Sequence, residues 1–186
     1  MKELTEKMVD DYLEKLAVNL ENENAFELRK LSNDFIEEAI TSEDYRIIDM
    51  SLIAYAFSKI IEKPHFLENK KWPAFKKKML EHLREEEAKE RTIEDVPHLL
   101  TDVLKHLRDF YSDAGNYATN VIEQARVKQA SRLYALGISL SKAADMTHVG
   151  KTELLEYIGM TRIHDRPFTQ SMPLAQRYKK AREALK

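Results

Sequence analysis

The sequence predicts an all-α protein: a helical bundle, followed by a helix-turn-helix-like trihelical unit and a basic C-terminal arm. Three observations lead there. Apolar residues fill 43% of 186 positions, enough for a core, while only four Gly and five Pro interrupt the chain. So few breakers cannot supply the turns of an all-β fold. Apolar residues recur every three or four positions through most of the chain, and no stretch alternates at period two for more than a few residues. Charged residues reach 33%, above the usual quarter, as the solvated faces of long helices require.

The elements follow in order. Thr5 is placed to N-cap a first helix, with Leu4 and Val9 as a hydrophobic staple and Met8, Tyr12, Leu16 and Leu20 on one face. "NLENENAF" breaks it, and a second helix carries Phe26, Leu28, Leu31, Phe35 and Ile36. Ser42 is read as the start of a third helix, with Glu43 and Asp44 in its first turn, where the helix dipole favours acid. From Tyr45 to Ile61 that helix is apolar almost all round, which marks the central, buried helix of the body. Pro64 stops it, "HFLENKKWP" reads as a loop, and Pro73 suits the first position of a fourth helix with Phe75, Met79, Leu80 and Leu83 facing inward. "REEEAKER" has lost that stripe. Thr92 or Asp95 caps a fifth helix with Leu100, Val103, Leu104, Leu107, Phe110 and Tyr111 as its apolar face. Gly115 suits a left-handed C-terminal position, and Asn116 caps a sixth helix running to about Leu136.

These elements divide the chain into an acidic bundle over 1–114, a trihelical unit over 115–160 and an arm over 161–186. With no Cys, disulfides, thiolate zinc sites and Cys nucleophiles are excluded. "MKELTEKMVDD" is charged with no apolar h-region, and no apolar run approaches the ~18 residues of a bilayer span, so a cytoplasmic protein without membrane contact is expected. The net charge of −2 hides an asymmetry. Residues 1–125 carry 18 Lys+Arg against 27 Asp+Glu, whereas 126–186 carry 12 against 5. Such a basic third serves either a nucleic-acid or acidic partner, or the acidic body of its own chain.

"THVGKTELL", residues 147–155, contains the Gly-Lys-Thr that ends a phosphate-binding loop. Asp145 stands where that loop needs its first Gly, and a helical pattern stands where it needs a strand. A nucleotide site is therefore not expected. Helix, short helix, tight turn, helix explains more residues: Gly137 ends the sixth helix, and Ser139 N-caps "LSKAADM". Ala143 and Ala144 permit a close crossing, Val149 plugs the turn, and Leu154, Leu155 and Ile158 of the next helix face inward.

Ile138 to Gly159 resembles the helix-turn-helix of a family of short prokaryotic putative antitoxins. Ser139, Leu140, Lys142, Ala143 and Ala144 match that family's opening, Val149 its turn, and Glu153, Leu155 and Glu156 its second helix. The turn departs from the family at His148, where Gly is usual, and at Gly150, where Ser is usual. The resemblance covers about 22 residues of 186 and implies DNA or toxin binding for the C-terminal part alone.

The first functional reading is a non-enzymatic, antitoxin-like helix-turn-helix regulator that binds DNA through residues 116–186, as a homodimer because single units rarely hold a site firmly. Its candidate nucleic-acid contacts are Arg126, Lys128, Arg132, Lys142, Lys151, Thr152, Tyr157, Arg162, Arg166, Lys179 and Lys180. Glu153 and Glu156 would meet phosphate unfavourably. The second reading is a protein–protein adaptor whose trihelical unit and arm grip a partner chain. In the arm, Leu174, Tyr178, Ala181 and Leu185 form a narrow apolar stripe among basic residues, which must dock on protein or bind phosphate. A third reading is a metal-dependent bundle enzyme, since His98, Asp102, His106 and Asp109 share a helix face. That face is also where polar residues of an amphipathic helix belong, and no cofactor is expected.

Overall fold

The computed structural model describes residues 4–42, 44–84, 92–113 and 119–161. They form α1 (Glu6–Glu21), α2 (Ala25–Ser42), α3 (Tyr45–Ile61), α4 (Pro64–Leu67), α5 (Trp72–Arg84), α6 (Val96–Asp113), α7 (Thr119–Ala135), α8 (Leu140–Thr147) and α9 (Lys151–Thr161). No strand occurs among the described residues, and the fold is all-α.

The central position of α3 follows from its sequence. Ile47, Ile48, Met50, Leu52, Ile53, Ala54, Ala56, Phe57 and Ile60 are all buried, so apolar residues on every side find neighbours on every side. It pairs along most of its length with α2 and also packs on α1, α4, α6, α7 and α8. Aromatic rings close the end of the bundle: Phe75 of α5 stacks on Phe110 of α6 at 4.2 Å, and Phe66 of α4 meets Tyr111 edge-on at 5.1 Å. The buried Tyr111 hydroxyl donates to the Ala56 carbonyl at 2.9 Å, tying α6 to α3.

Inside this core Ser32, Ser51 and Gln129 are paired, whereas the fully buried Ser131 Oγ has no hydrogen-bond partner among the described residues. Ser51 Oγ donates to the Ser32 carbonyl at 2.8 Å and lies 3.0 Å from Ser32 Oγ, which accepts from Gln129 Nε2 at 2.8 Å. Three helices, α2, α3 and α7, thus share one buried hydrogen-bonded group, whose members would cost about 1–3 kcal/mol each if left unpaired. At the α1–α2 turn, Glu23 accepts from Trp72 Nε1 at 3.2 Å and from Lys76 Nζ at 2.7 Å. The Lys76 hydrogen bond holds the Glu23 carboxyl below its ordinary range.

Several sequence expectations are corrected. Ser42 ends α2, donating to the Glu38 carbonyl at 3.0 Å, and the N-cap of α3 is Asp44. The carboxylate of Asp44 binds both the backbone N–H and the guanidinium of Arg46, and this second set of bonds settles the cap there. Phe26 is 75% exposed because it lies about 200° round the helix from Leu28. "HFLENKKWP" is not wholly a loop: α4 occupies its start, with Pro64 at a first-turn position, and α5 begins at Trp72 rather than Pro73. Of the two caps expected for α6, Asp95 stands just before it, its carbonyl accepting from the Leu99 N–H at 3.1 Å, and its carboxylate also accepts from the backbone N–H and hydroxyl of Thr92, at 2.9 and 2.8 Å. The expectations for most of "REEEAKER", Gly115, Asn116 and the arm lie outside the described residues.

Candidate nucleic-acid interface

α8 and α9 both pack on α7 and on each other. The joints between these three helices are set by backbone conformation. After α7, the Gly137 N–H donates to the Tyr134 carbonyl at 3.0 Å and the Ile138 N–H to Leu133 at 3.1 Å, a Schellman motif with Gly137 at φ 102°. Ser139 then caps α8, its Oγ accepting from the Lys142 N–H at 3.3 Å. Ala143 and Ala144 are buried, which brings α8 close to its neighbours. α8 ends in the same motif: the Val149 N–H donates to Ala144 at 3.0 Å and the His148 N–H to Asp145 at 3.4 Å.

The left-handed residue of this second motif is His148, at φ 56° and ψ 40°. His is among the non-glycine residues that adopt this conformation most readily. Gly150, in contrast, has room for a side chain: an added Cβ would meet nothing nearer than Glu153 Cβ at 3.9 Å. The Gly150 carbonyl accepts from the Leu154 N–H at 2.9 Å, opening α9 at Lys151 as expected. The expected turn over "THVG" and helix start at Lys151 are both found, and the left-handed residue within the turn is His148. A helix, α8, stands where a phosphate-binding loop would need a strand.

α9 buries Leu154 and Ile158. Leu155, expected inward, is 54% exposed, because its neighbour Leu154 takes the core direction and one residue is about 100° of helix. The outward arc holds Thr152, Leu155, Glu156, Gly159 and Met160, the last 77% exposed. Lys151, Thr152 and Glu153 form an exposed first turn. Neither Glu153 nor Glu156 forms an ion pair among the described residues.

The basic residues of α7 are used within the chain. Arg126 donates to the Thr147 carbonyl at 3.3 Å, just before the His148 turn. Lys128 lies 5.0 Å from the Tyr55 ring centroid and donates to its hydroxyl at 3.2 Å, and Arg132 reaches Asn33 and Glu37 of α2. Of the other candidates, Lys142 and Tyr157 are half-buried with contacts of their own, and Lys151 and Thr152 are exposed together. Arg162, Arg166, Lys179 and Lys180 lie outside the described residues.

One residue of this region was missed. Asp49 of α3 sits among buried neighbours, and burial pushes its carboxyl above the ordinary Asp range against the pull of Arg126 and His148. An acid in the middle of an otherwise apolar helix was the available signal. Among the residues weighed for metal, His106 Nδ1 is 2.7 Å from the Asp102 carbonyl and its ring lies 5.0 Å from that of His82. No group of three or more metal-ligating side chains converges among the described residues. Compared with protein-family models, curated proteins and solved structures, the chain gives no match.

Proposed function

We propose that this protein is a non-enzymatic helix-turn-helix regulator that contacts DNA with the first turn of α9 and acts as a homodimer. The observation that carries the reading is the joint itself: an eight-residue helix, a turn over residues 148–150, and an eleven-residue helix whose first turn stands clear of the body. In helix-turn-helix proteins the second helix presents its N-terminal residues to base edges. Here these are Lys151 and Thr152, a cation and a hydroxyl at the positive end of a helix dipole. Glu153 in the same turn and Glu156 one turn on repel phosphate, which confines its approach to the Lys151 and Thr152 side of the helix start. The resemblance to antitoxins adds a toxin-like protein as a candidate partner.

The test is fluorescence anisotropy with a random-sequence duplex. Binding at low salt, weakening steeply as salt rises, is expected, and Lys151→Glu should reduce affinity several-fold and flatten the salt slope. Absence of binding at low salt would sink the reading. It would favour the second one, a protein–protein adaptor, which is supported by the exposed Leu155 and Met160 and by the internal use of Arg126, Lys128 and Arg132.

A further inference from the structure

We infer that the outward face of α9 is the seat of residues 174–186 of the same chain, which cover it when no other ligand does. Among the described residues nothing covers this face, and its chemistry is mixed. Leu155 is 54% and Met160 77% exposed, and between them Gly159 leaves a gap in which an added Cβ would meet nothing within 4 Å. Glu156 lies on that arc and Glu153 at its edge beside Met160, both exposed. A complementary occupant needs an apolar stripe flanked by positive charge.

Residues 174–186 have that pattern. Leu174, Tyr178, Ala181 and Leu185 recur at spacings of four, three and four, and Arg177, Lys179, Lys180, Arg182 and Lys186 stand against a single acid, Glu183. The stripe matches Leu155 and Met160, and the charge matches Glu153 and Glu156. The reach is sufficient. α9 ends at Thr161, and the spacer 162–173, with Pro167 and Pro173, spans up to ~40 Å when extended. α9 itself is only ~16 Å long, so the segment can return along it. Concentration also favours the same chain, because a short tether holds the segment near its seat at an effective millimolar level. The seat includes Thr152, so the covering segment competes with any ligand of the first turn of α9. This inference stands without the DNA reading.

The chain has no Cys, so engineered pairs report proximity directly. Leu155→Cys or Met160→Cys would be combined with Tyr178→Cys or Ala181→Cys in the full chain, oxidised mildly without DNA and resolved on non-reducing gels. At least one pair is expected to close within a single chain, several-fold faster than a control pairing Phe26→Cys of α2 with the same tail Cys. Adding Glu153→Lys and Glu156→Lys, exposed positions that leave the core intact, should slow that closure. Equal rates for the control pair, closure insensitive to charge reversal, or cross-links only between two chains would each overturn the assignment. Because no nucleic acid is present, failure here is distinguishable from failure to bind a duplex.

Discussion

Two left-handed residues in the described chain are not glycine, Glu23 at φ 51° and His148 at φ 56°. That conformation costs an L-residue roughly 1–2 kcal/mol, and at Glu23 the bonds to Trp72 and Lys76 offset it. At His148 the neighbouring charge is Asp49, whose carboxyl is pushed up by burial more than Arg126 and His148 pull it down. A folded-state value above the unfolded one means that the stability linked to this proton is full below about pH 4, the ordinary Asp value, and is lost as pH rises through the folded value. Asp49→Asn should remove that loss. In denaturant titrations the parent's stability relative to the variant is expected to fall between pH 4 and pH 7, and an unchanged difference would show that Asp49 is solvated. Little of this was legible in sequence. Asp49 stood out only as a polar break in an apolar run, and nothing in "THVG" singled out His148 as the left-handed residue.

The elements themselves were more legible, because caps and periodicity are local. Thr5, Gly137 and Ser139 do what their positions suggested. Faces were harder to read where two apolar residues are adjacent, as at Leu154 and Leu155, since only the neighbouring helix decides which one enters the core. The pair gives a sharp test. Leu154 is fully buried, so Leu154→Ala should cost about 2–5 kcal/mol. Leu155→Ala, at an exposed position, should stay within about 0.5 kcal/mol. Chemical denaturation measures both, and similar losses would mean that the helix is rotated from the orientation described. Ser42 and α4 escaped the sequence for a different reason. A Ser can cap a helix or bond back to its own carbonyls, and a Pro that stops one helix can start another.

At the scale of the whole molecule, the boundary at residue 114 was drawn where the fifth helix was expected to end, and packing runs across it. One apolar cluster includes Leu16 of α1, Phe57 of α3, Leu133 of α7 and Ile158 of α9. α7 is the connecting piece, touching α2, α3, α6, α8 and α9 and contributing Gln129 to the buried serine pair. The charge asymmetry was visible in the composition, but not the direction of the side chains: Arg126, Lys128 and Arg132 turn toward the chain's own helices. Because α7 packs on both α2 and α3 and on α8 and α9, a ligand at α9 is expected to shift the melting of the whole described body. A ligand held by the first turn of α9 at a hundred times its Kd adds about 2.7 kcal/mol to the unfolding of everything cooperative with α9. For a chain of this size each kcal/mol moves the midpoint by about 2–4 °C. A short duplex is therefore expected to raise a single melting transition by about 5–10 °C, recorded by helix circular dichroism dominated by α1 to α7. A curve that splits, with one part unmoved, would mean that α7 does not transmit; a single shifted curve would let a thermometer read, from the far side of the molecule, whether the first turn of α9 is occupied.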